Sequence, residues 1–243
     1  MRPLACALLF LTRIPLPAWT LSERDFAASP AYFAWVGGLL AALLYGATLL
    51  FAPFGPRLGA LLLIALWVMI TGGLHLDGLA DTVDGLSGGR GDRTRALTIM
   101  RDSRIGAHGA LALVLVLMLK WAALERALEL GRLSWLVAPV IARFACTLFI
   151  ARIPYAREQG LASPFVGATG ARALLIGLAA VALTCALLGL GGLLVAVLAV
   201  LAVLPFVMRA RRALGGLTGD VYGAAIELCE LGALLAAALP RLR

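Results

Sequence analysis

The feature that most constrains this chain is a series of long apolar runs separated by short polar segments. A helix needs about 17–25 predominantly apolar residues to cross a bilayer. Seven runs meet that length, at 31–54, 58–74, 105–124, 133–151, 173–190, 192–208 and 221–240. The chain is 62% hydrophobic, whereas soluble domains are nearer half apolar. The sequence therefore predicts an all-α, polytopic integral membrane bundle of about seven transmembrane helices, forming one domain over residues 1–243.

The N-terminal segment, residues 1–19, resembles a signal peptide, since it has a basic start and a short apolar core. Arg13 follows that core at once, however, and no A-x-A cleavage site comes after it. We therefore expect a retained, short interfacial or re-entrant segment. The four cysteines stand alone inside apolar runs with no C-x-x-C spacing, so neither disulfides nor zinc is expected.

The basic residues predict an orientation in the membrane. With the N-terminus placed inside, fourteen Lys and Arg residues fall in inside segments and five in outside segments. Basic residues concentrate in loops that stay on the cytoplasmic side. The net charge of +8 is thereby explained without any nucleic acid partner. The same topology places every aspartate after Asp25 on the inside.

An acidic stretch, GGLHLDGLADTVDGLSGGR at residues 72–90, directly follows the second apolar run. If that helix continues past residue 74, Asp77, Asp81 and Asp84 lie within roughly 60° of one another, at about 100° per residue. His75 lies on a different face. Three carboxylates this close repel one another and need a cation, and oxygen ligands suit Mg²⁺ or Mn²⁺. The surrounding glycines let a ligand approach the backbone closely. The alternative is a solvated helix end.

A second polar stretch, MRDSRIGAHG at residues 100–109, begins the third apolar run. Asp102 lies between two arginines, and the stretch reads either as a charged helix start or as a phosphate clamp. In the second interpretation Arg104 is the main contact. Three further arginines are reserves for the same role: Arg93, Arg95 and Arg101.

A third polar stretch, GGLTGDVYGAAIELCE at residues 215–230, opens the last apolar run. Asp220 is at the membrane edge, where it can meet the acidic stripe of the second run. Glu227 and Glu230 lie deeper in an apolar helix, which marks them as functional candidates. The structural alternative is that one of them is the buried partner of Arg143, in the fourth run.

Two kinds of chemistry fit acids and arginines at the inner surface: transport of an ion or solute, and phosphoryl transfer. Transporters commonly place charged groups near the midplane, in broken helices of repeated halves. Here the acids cluster at one surface, and the two halves show no repeat. A phosphoryl-transfer site needs a metal to neutralise charge, arginines on the phosphate oxygens and a carboxylate near the attacking hydroxyl. The pattern therefore favours a magnesium-dependent membrane phosphotransferase.

The three stretches together resemble the adenosylcobinamide-GDP ribazoletransferase, or cobalamin synthase, family over nearly the full chain. The matching segments are FLTRIPLP (10–17), GGLHLDGLADTVDGLSGG (72–89), IMRDSRIGAHGALALVL (99–115) and GGLTGDVYGAAIELCE (215–230). The HLDGLADTVDG block is long and unusual, so its match is highly specific. One departure is His108, where the family leads us to expect an aromatic residue.

The resemblance implies a Mg²⁺-dependent, multi-pass inner-membrane enzyme with its site on the cytoplasmic face. It would join adenosylcobinamide-GDP to α-ribazole, or to its 5′-phosphate, and release GMP.

Four aspartates would bind the metal: Asp77, Asp81, Asp84 and Asp220. Asp102 would orient or deprotonate the ribazole hydroxyl or bind metal, and Arg104 would hold the diphosphate with Arg95 and Arg101. His75 would be a general acid or a substrate contact. Three further side chains would hold the metal ligands in position without binding the metal: Glu227, Glu230 and Arg143. The oligomeric state stays open.

Overall fold

The structure is a computed structural model that describes residues 2–17 and 20–240. Over these residues the chain forms ten α-helices: α1 (Arg2–Leu11), α2 (Glu23–Ala27), α3 (Phe33–Phe51), α4 (Gly55–Thr71), α5 (Leu74–Gly89), α6 (Arg93–Ile99), α7 (Ala107–Glu129), α8 (Ala138–Arg152), α9 (Ala171–Leu214) and α10 (Gly219–Ala238). The described residues contain no β-strand beyond one isolated bridge between Tyr155 and Leu217. The predicted all-α fold is confirmed.

Five described stretches are long and apolar enough to cross a membrane, which confirms the helical membrane bundle. Two of them, Ser29–Thr71 and Ala171–Leu214, are more than 40 residues long. The first contains α3 and α4, which are separate helices joined at Ala52–Phe54. The second is α9. The predicted count of seven crossings remains a prediction.

The long helix α9 is two limbs that meet at Gly189, whose φ of 66° and ψ of −159° are not helical. Near its start, the Ile176 carbonyl accepts a hydrogen bond from the Trp35 indole at 3.0 Å. At its end, the Leu214 carbonyl accepts one from Arg93. Glycine tolerates the positive φ at the turn because it has no Cβ. The sequence predicted a hairpin at GLGG, and the break lies at the first residue of that stretch.

The bundle has two inner helices, α8 and α10. In each, 78% of the most apolar window is buried by protein, against 22–28% in the other three apolar stretches. Small residues make this close packing possible in α10, as they do in other membrane helices. A Cβ on Gly232, for example, would lie 3.4 Å from the Ala199 Cα in α9.

The second apolar run does not continue into the acidic stretch, contrary to the sequence expectation. Helix α4 ends at Thr71, and Gly72 and Gly73 both adopt left-handed conformations, with φ of 65° and 70°. Their amides donate back to the Met69 and Val68 carbonyls, a common way to end a helix. The acidic residues therefore lie on a separate helix, α5, which is free to cross the bundle at its own angle.

The N-terminal helix α1 has ten residues and is too short to cross a bilayer, in line with the predicted interfacial or re-entrant segment. Its end is fixed to the α4–α5 break, because the Arg13 amide donates to the Ile70 carbonyl at 2.7 Å. Phe10 packs against Phe33 and Phe165 at centroid distances of 5.9 and 5.5 Å. Part of the predicted segment, Met1, Ala18 and Trp19, lies outside the described residues.

Candidate active site

The candidate site is built where α5 crosses the start of α10. The two backbones approach closely at two glycines. A Cβ on Gly78 would lie 2.7 Å from the Asp220 backbone oxygen, and one on Gly223 would lie 3.3 Å from the His75 Cα. This crossing puts Asp77 and Asp220 on the wall of the same cleft, as the sequence predicted for Asp220.

Asp81 lies one turn beyond Asp77 on the same face of α5. Burial, together with the negative charges of Asp77, Asp220 and Asp84, raises the pKa of its carboxyl to about 6. The Arg157 guanidinium opposes this shift. The ionised form of Asp81 therefore has too little positive charge nearby. A bound cation would supply that charge and stabilise the ionised form.

Asp84 makes different contacts from the other acids of the stripe. Its Oδ2 accepts from the Gly106 amide at 2.7 Å, and its Oδ1 accepts from the Gly109 amide at 2.9 Å. These amides are at the N-terminus of α7, where a negative charge is favourable. Both of its oxygens thus cap a helix, which favours a structural role for Asp84, and its role as a metal ligand stays a prediction.

The remaining donors are suited to a partial magnesium shell. Asp77, Asp81 and Asp220 offer only carboxylate oxygens, the ligand type that Mg²⁺ prefers. Within residues 2–17 and 20–240, no three His, Cys, Asp or Glu side chains form a group arranged to hold a metal ion. Mg²⁺ usually retains waters and binds one or two carboxylates together with substrate phosphates. The residues present fit that mode and do not form a cage built from protein ligands alone.

Arg157 completes the charged part of the cleft, and the sequence analysis did not identify it. Its Nη2 lies 2.7 Å from the Asp220 Oδ2, with the two side chains 11% and 23% exposed. The contact depends on the isolated bridge, in which Ala156 donates to Leu217 at 2.8 Å and Leu217 donates to Pro154 at 2.9 Å. No spacing rule connects positions 157 and 220, so only the fold reveals the pair.

The cleft has a volume of about 150 Å³ and extends from these charges to an aromatic interior. His75 lines it, is 3% exposed and has no hydrogen-bond partner on either ring nitrogen. Burial lowers the pKa of His75 to about 3, and the charge of Arg143 acts in the same direction. A neutral imidazole is a very weak acid at ordinary pH, which argues against the general-acid role. The alternative role of substrate contact fits its position.

Asp102 and Arg104 form an exposed ion pair on a second, open cleft, which Asp84 and His108 also line. The Arg104 Nη2 lies 2.7 Å from the Asp102 Oδ2, and its Nε also donates to the same carboxylate. Hydrogen bonds from Arg104 lower the pKa of Asp102 to about 2. So acidic a group is a poor proton acceptor near neutral pH, which argues against Asp102 as the base.

The three reserve arginines are not gathered around either cleft. Arg95 and Arg101 are exposed and line neither of them. Arg93 has a structural role, because it donates to the Leu214 carbonyl at 2.7 Å and to the Ala156 carbonyl at 2.9 Å. A phosphate contact by Arg95 or Arg101 stays a prediction.

A buried ionic cluster lies deeper in the bundle, between α7, α8 and α10. The Arg143 Nη1 lies 2.7 Å from the Glu230 Oε1, which confirms the structural alternative for that glutamate. Lys120 pairs with Glu230 at 2.6 Å and also with Glu227. The Lys120 ammonium also lies over the Trp67 ring. Two positive and two negative side chains thus neutralise one another, and Lys120 is the member that sequence reasoning missed.

Fold and site together define a class: a polytopic helical membrane protein with carboxylates and an arginine grouped on one cleft. A family model described as cobalamin-5-phosphate synthase matches residues 3–238. The chain belongs to this family.

Individual relatives are similar over almost their whole length. One from Stutzerimonas stutzeri is 42% identical, and the match covers 98% of each chain. One from Klebsiella pneumoniae is also 42% identical, over 95% of this chain and 96% of the relative. One from Alkalilimnicola ehrlichii is 44% identical, over 96% and 94% respectively. All three are named adenosylcobinamide-GDP ribazoletransferase. No solved structure matches the chain.

Proposed function

We propose that this protein is a membrane transferase of cobalamin biosynthesis that joins adenosylcobinamide-GDP to α-ribazole or α-ribazole 5′-phosphate. A ribose hydroxyl oxygen bonds to the phosphorus attached to the corrinoid, and the bond from that phosphorus to the bridging oxygen of the diphosphate breaks. GMP leaves with that oxygen, and the hydroxyl loses its proton. The products are GMP and adenosylcobalamin or its 5′-phosphate.

The observation that carries this proposal is the crossing of α5 and α10. Family membership extends over residues 3–238, and the unusual HLDGLADTVDG block forms most of α5. The crossing sets that block against Asp220 and Arg157 on one cleft. The sequence signature and the charged cleft therefore coincide.

In this proposal Mg²⁺ binds one or two of the carboxylates of Asp77, Asp81 and Asp220 together with the substrate phosphates. Bound Mg²⁺ would neutralise the charge of the diphosphate and of the pentavalent transition state. Arg157 holds Asp220 in place in the cleft. We assign acceptance of the hydroxyl proton to this aspartate group rather than to Asp102, because hydrogen bonds from Arg104 hold the pKa of Asp102 at about 2.

The diphosphate would extend along α5 from the first cleft toward the second. Asp77 and Asp84 are seven residues apart, or about 10 Å along a helix. Asp84 borders the second cleft, where the Arg104 side chain is 87% exposed and therefore accessible to a phosphate. A diphosphate with its guanosine is long enough to contact both clefts at once. Arg104 thus keeps its proposed role as a phosphate contact.

The cytoplasmic face of the inner membrane is the proposed location of the site. Asp77, Asp102, Arg157 and Asp220 all belong to segments that the distribution of basic residues places inside. A transporter is not favoured, because the acids deepest in the bundle, Glu227 and Glu230, already pair with Lys120 and Arg143.

The test uses protein purified into nanodiscs, supplied with Mg²⁺, adenosylcobinamide-GDP and α-ribazole, while GMP and cobalamin are measured together. We expect equimolar products that disappear with chelator and in Asp81→Asn. Glu129→Gln is the matched control, since it removes an exposed acid from the far end of α7 and should leave the rate unchanged. An Asp81→Asn protein that is folded and nearly as fast as the unmodified chain would remove the proposed metal site.

A further inference from the structure

The inner part of the first cleft carries polar groups that have no partner in the protein. Tyr222 is 4% exposed and His75 3% exposed, and neither the tyrosine hydroxyl nor the imidazole nitrogens make a hydrogen bond. The Tyr155 hydroxyl is buried and unpaired as well. All three side chains line the cleft. Because a buried polar group without a partner is costly, several of them around one cleft indicate a ligand that satisfies them.

The walls around these groups are aromatic and apolar. The Tyr155 and Tyr222 rings are nearly parallel, at 18°, with centroids 6.4 Å apart, and together they form one side of the cleft. Phe10, Phe33 and Phe165 form another part of the lining. These phenylalanines hold one another in place through edge and stacked contacts. Such a cleft fits a flat aromatic group that needs few hydrogen bonds.

We infer that this aromatic cleft is the acceptor subsite, in which Tyr155 and Tyr222 contact the aromatic base of the riboside and Tyr222 donates a hydrogen bond to its ring nitrogen. The inference rests on the proposed function, since it concerns the acceptor of that reaction. With the base held inside, the ribose of the acceptor extends toward Asp77 and Asp220 at the charged end of the cleft. The attacking hydroxyl would thereby reach the carboxylates.

The cleft suits this base better than the other parts of the substrates. A benzimidazole presents apolar edges and one acceptor nitrogen, which matches the apolar walls and the unpaired hydroxyl donor of Tyr222. Guanine presents an edge of both donors and acceptors and would need carboxylate or carbonyl partners, whereas Asp220 is held by Arg157. The corrinoid carries many amide groups, more than the few polar side chains of this cleft can pair.

The experiment measures KM separately for α-ribazole and for adenosylcobinamide-GDP, each at saturation of the other. Tyr222→Leu removes the ring and should raise the KM for α-ribazole about tenfold or more, given the usual contribution of stacking on an aromatic side chain. The KM for adenosylcobinamide-GDP should stay within about twofold, a change too small to indicate a lost contact. Tyr45→Leu, which removes an exposed tyrosine from α3, is the matched control and should change neither KM.

Tyr222→Phe tests the hydrogen bond without disturbing the packing. It should raise the KM for α-ribazole about threefold to tenfold. With an indole riboside, which has a C–H in place of the acceptor nitrogen, the same substitution should have no effect. A purely structural role for the hydroxyl would give the same loss with both acceptors.

Three outcomes would overturn the subsite: a KM increase for adenosylcobinamide-GDP instead of α-ribazole, equal losses with the benzimidazole and indole ribosides, or no change in either tyrosine variant. Absence of turnover in the unmodified protein would contradict the proposed function rather than the subsite. In that case α-ribazole is titrated calorimetrically into the nanodiscs. Binding that Tyr222→Leu abolishes would support the subsite, and lack of binding to the unmodified protein would overturn it.

Discussion

Asp81 and Asp84 lie three residues apart on α5, yet their surroundings make them different chemical groups. Asp84 accepts two backbone hydrogen bonds at the start of α7. The charged groups that act on Asp81 are other carboxylates and the Arg157 guanidinium. The sequence predicted one acidic stripe from the spacing of three aspartates. It could not separate a helix cap from a metal ligand, because the amides of Gly106 and Gly109 reach Asp84 only after α5 and α7 have packed.

The raised pKa of Asp81 predicts how magnesium should stabilise the protein. Without metal, ionising Asp81 disfavours the folded state, so its stabilising contribution is fully present below about pH 4 and is lost as the pH rises through about 6. A cation reverses that loss by binding the ionised form. We expect Mg²⁺ to raise Tm at pH 7.5 and to have little effect at pH 5, as measured by thermal unfolding in detergent.

Asp81→Asn is the control for this measurement. The amide does not titrate, so the variant should be no less stable than the unmodified chain without metal, and its response to Mg²⁺ should be weak at both pH values. If Mg²⁺ stabilises the variant as strongly as the unmodified chain at pH 7.5, the metal does not depend on this carboxylate.

At the scale of elements, the glycines of α5 have a different purpose from the expected one. The sequence suggested that they let a ligand approach the backbone. In the structure they are covered by protein: Gly78 meets α10 at Asp220, and Gly85 and Gly89 meet α6 at Ala96. Glycine content is the same in both interpretations, so composition alone could not distinguish helix packing from ligand binding. The sequence did not predict the helix break at Gly72 for a related reason. Whether a glycine adopts a left-handed conformation depends on the residues that pack around it.

The crossing of α5 and α10 predicts a sharp response to a single methyl group. A Cβ at Gly78 would lie 2.7 Å from the Asp220 oxygen and 3.1 Å from its Cα, which are backbone atoms that cannot rotate away. Gly78→Ala should therefore push the two helices apart and lower kcat substantially, because displacements near 1 Å at a catalytic site are costly. The measurement is steady-state turnover together with Tm.

Gly38→Ala in α3 is the matched substitution, since a Cβ there would meet nothing within 4 Å. It should leave both turnover and Tm unchanged or slightly improved, because alanine favours helix more than glycine does. Equal behaviour of the two variants would mean that the close approach at Gly78 is unnecessary for activity.

At the scale of the whole molecule, much of the fold could be predicted from the sequence. The ionic cluster at the centre of the bundle could not. The long apolar runs predicted the helices, and GLGG predicted the turn in α9. The single lysine in the chain, Lys120, gave no signal beyond its place in an apolar run. Its two partners are more than 100 residues away, at Glu227 and Glu230. Such long-range pairing depends on how helices pack and has no local pattern.

This buried cluster predicts a large loss of stability when one member is removed. Glu230→Gln takes a charge away from Arg143 and Lys120 and leaves buried positive charge uncompensated. Breaking a buried ion pair in this way typically costs about 3–5 kcal/mol. We expect a clear fall in Tm and in the yield of monodisperse protein, with Glu129→Gln unaffected because its partner Arg126 is exposed. An unchanged Tm for Glu230→Gln would show that the cluster does not hold the bundle together.

The predicted orientation is tested by labelling single cysteines in sealed right-side-out vesicles. Glu129 at the end of α7 and Thr94 in α6 are exposed and lie at opposite ends of the bundle. The distribution of basic residues places Glu129 outside and Thr94 inside. A membrane-impermeant maleimide should therefore label Glu129→Cys in intact vesicles and Thr94→Cys only after permeabilisation. The unmodified chain is the background, since three of its cysteines are buried and Cys185 is half-buried. The reverse pattern would place the α5–α10 cleft on the outer face, away from cytoplasmic substrates, and would contradict the proposed location.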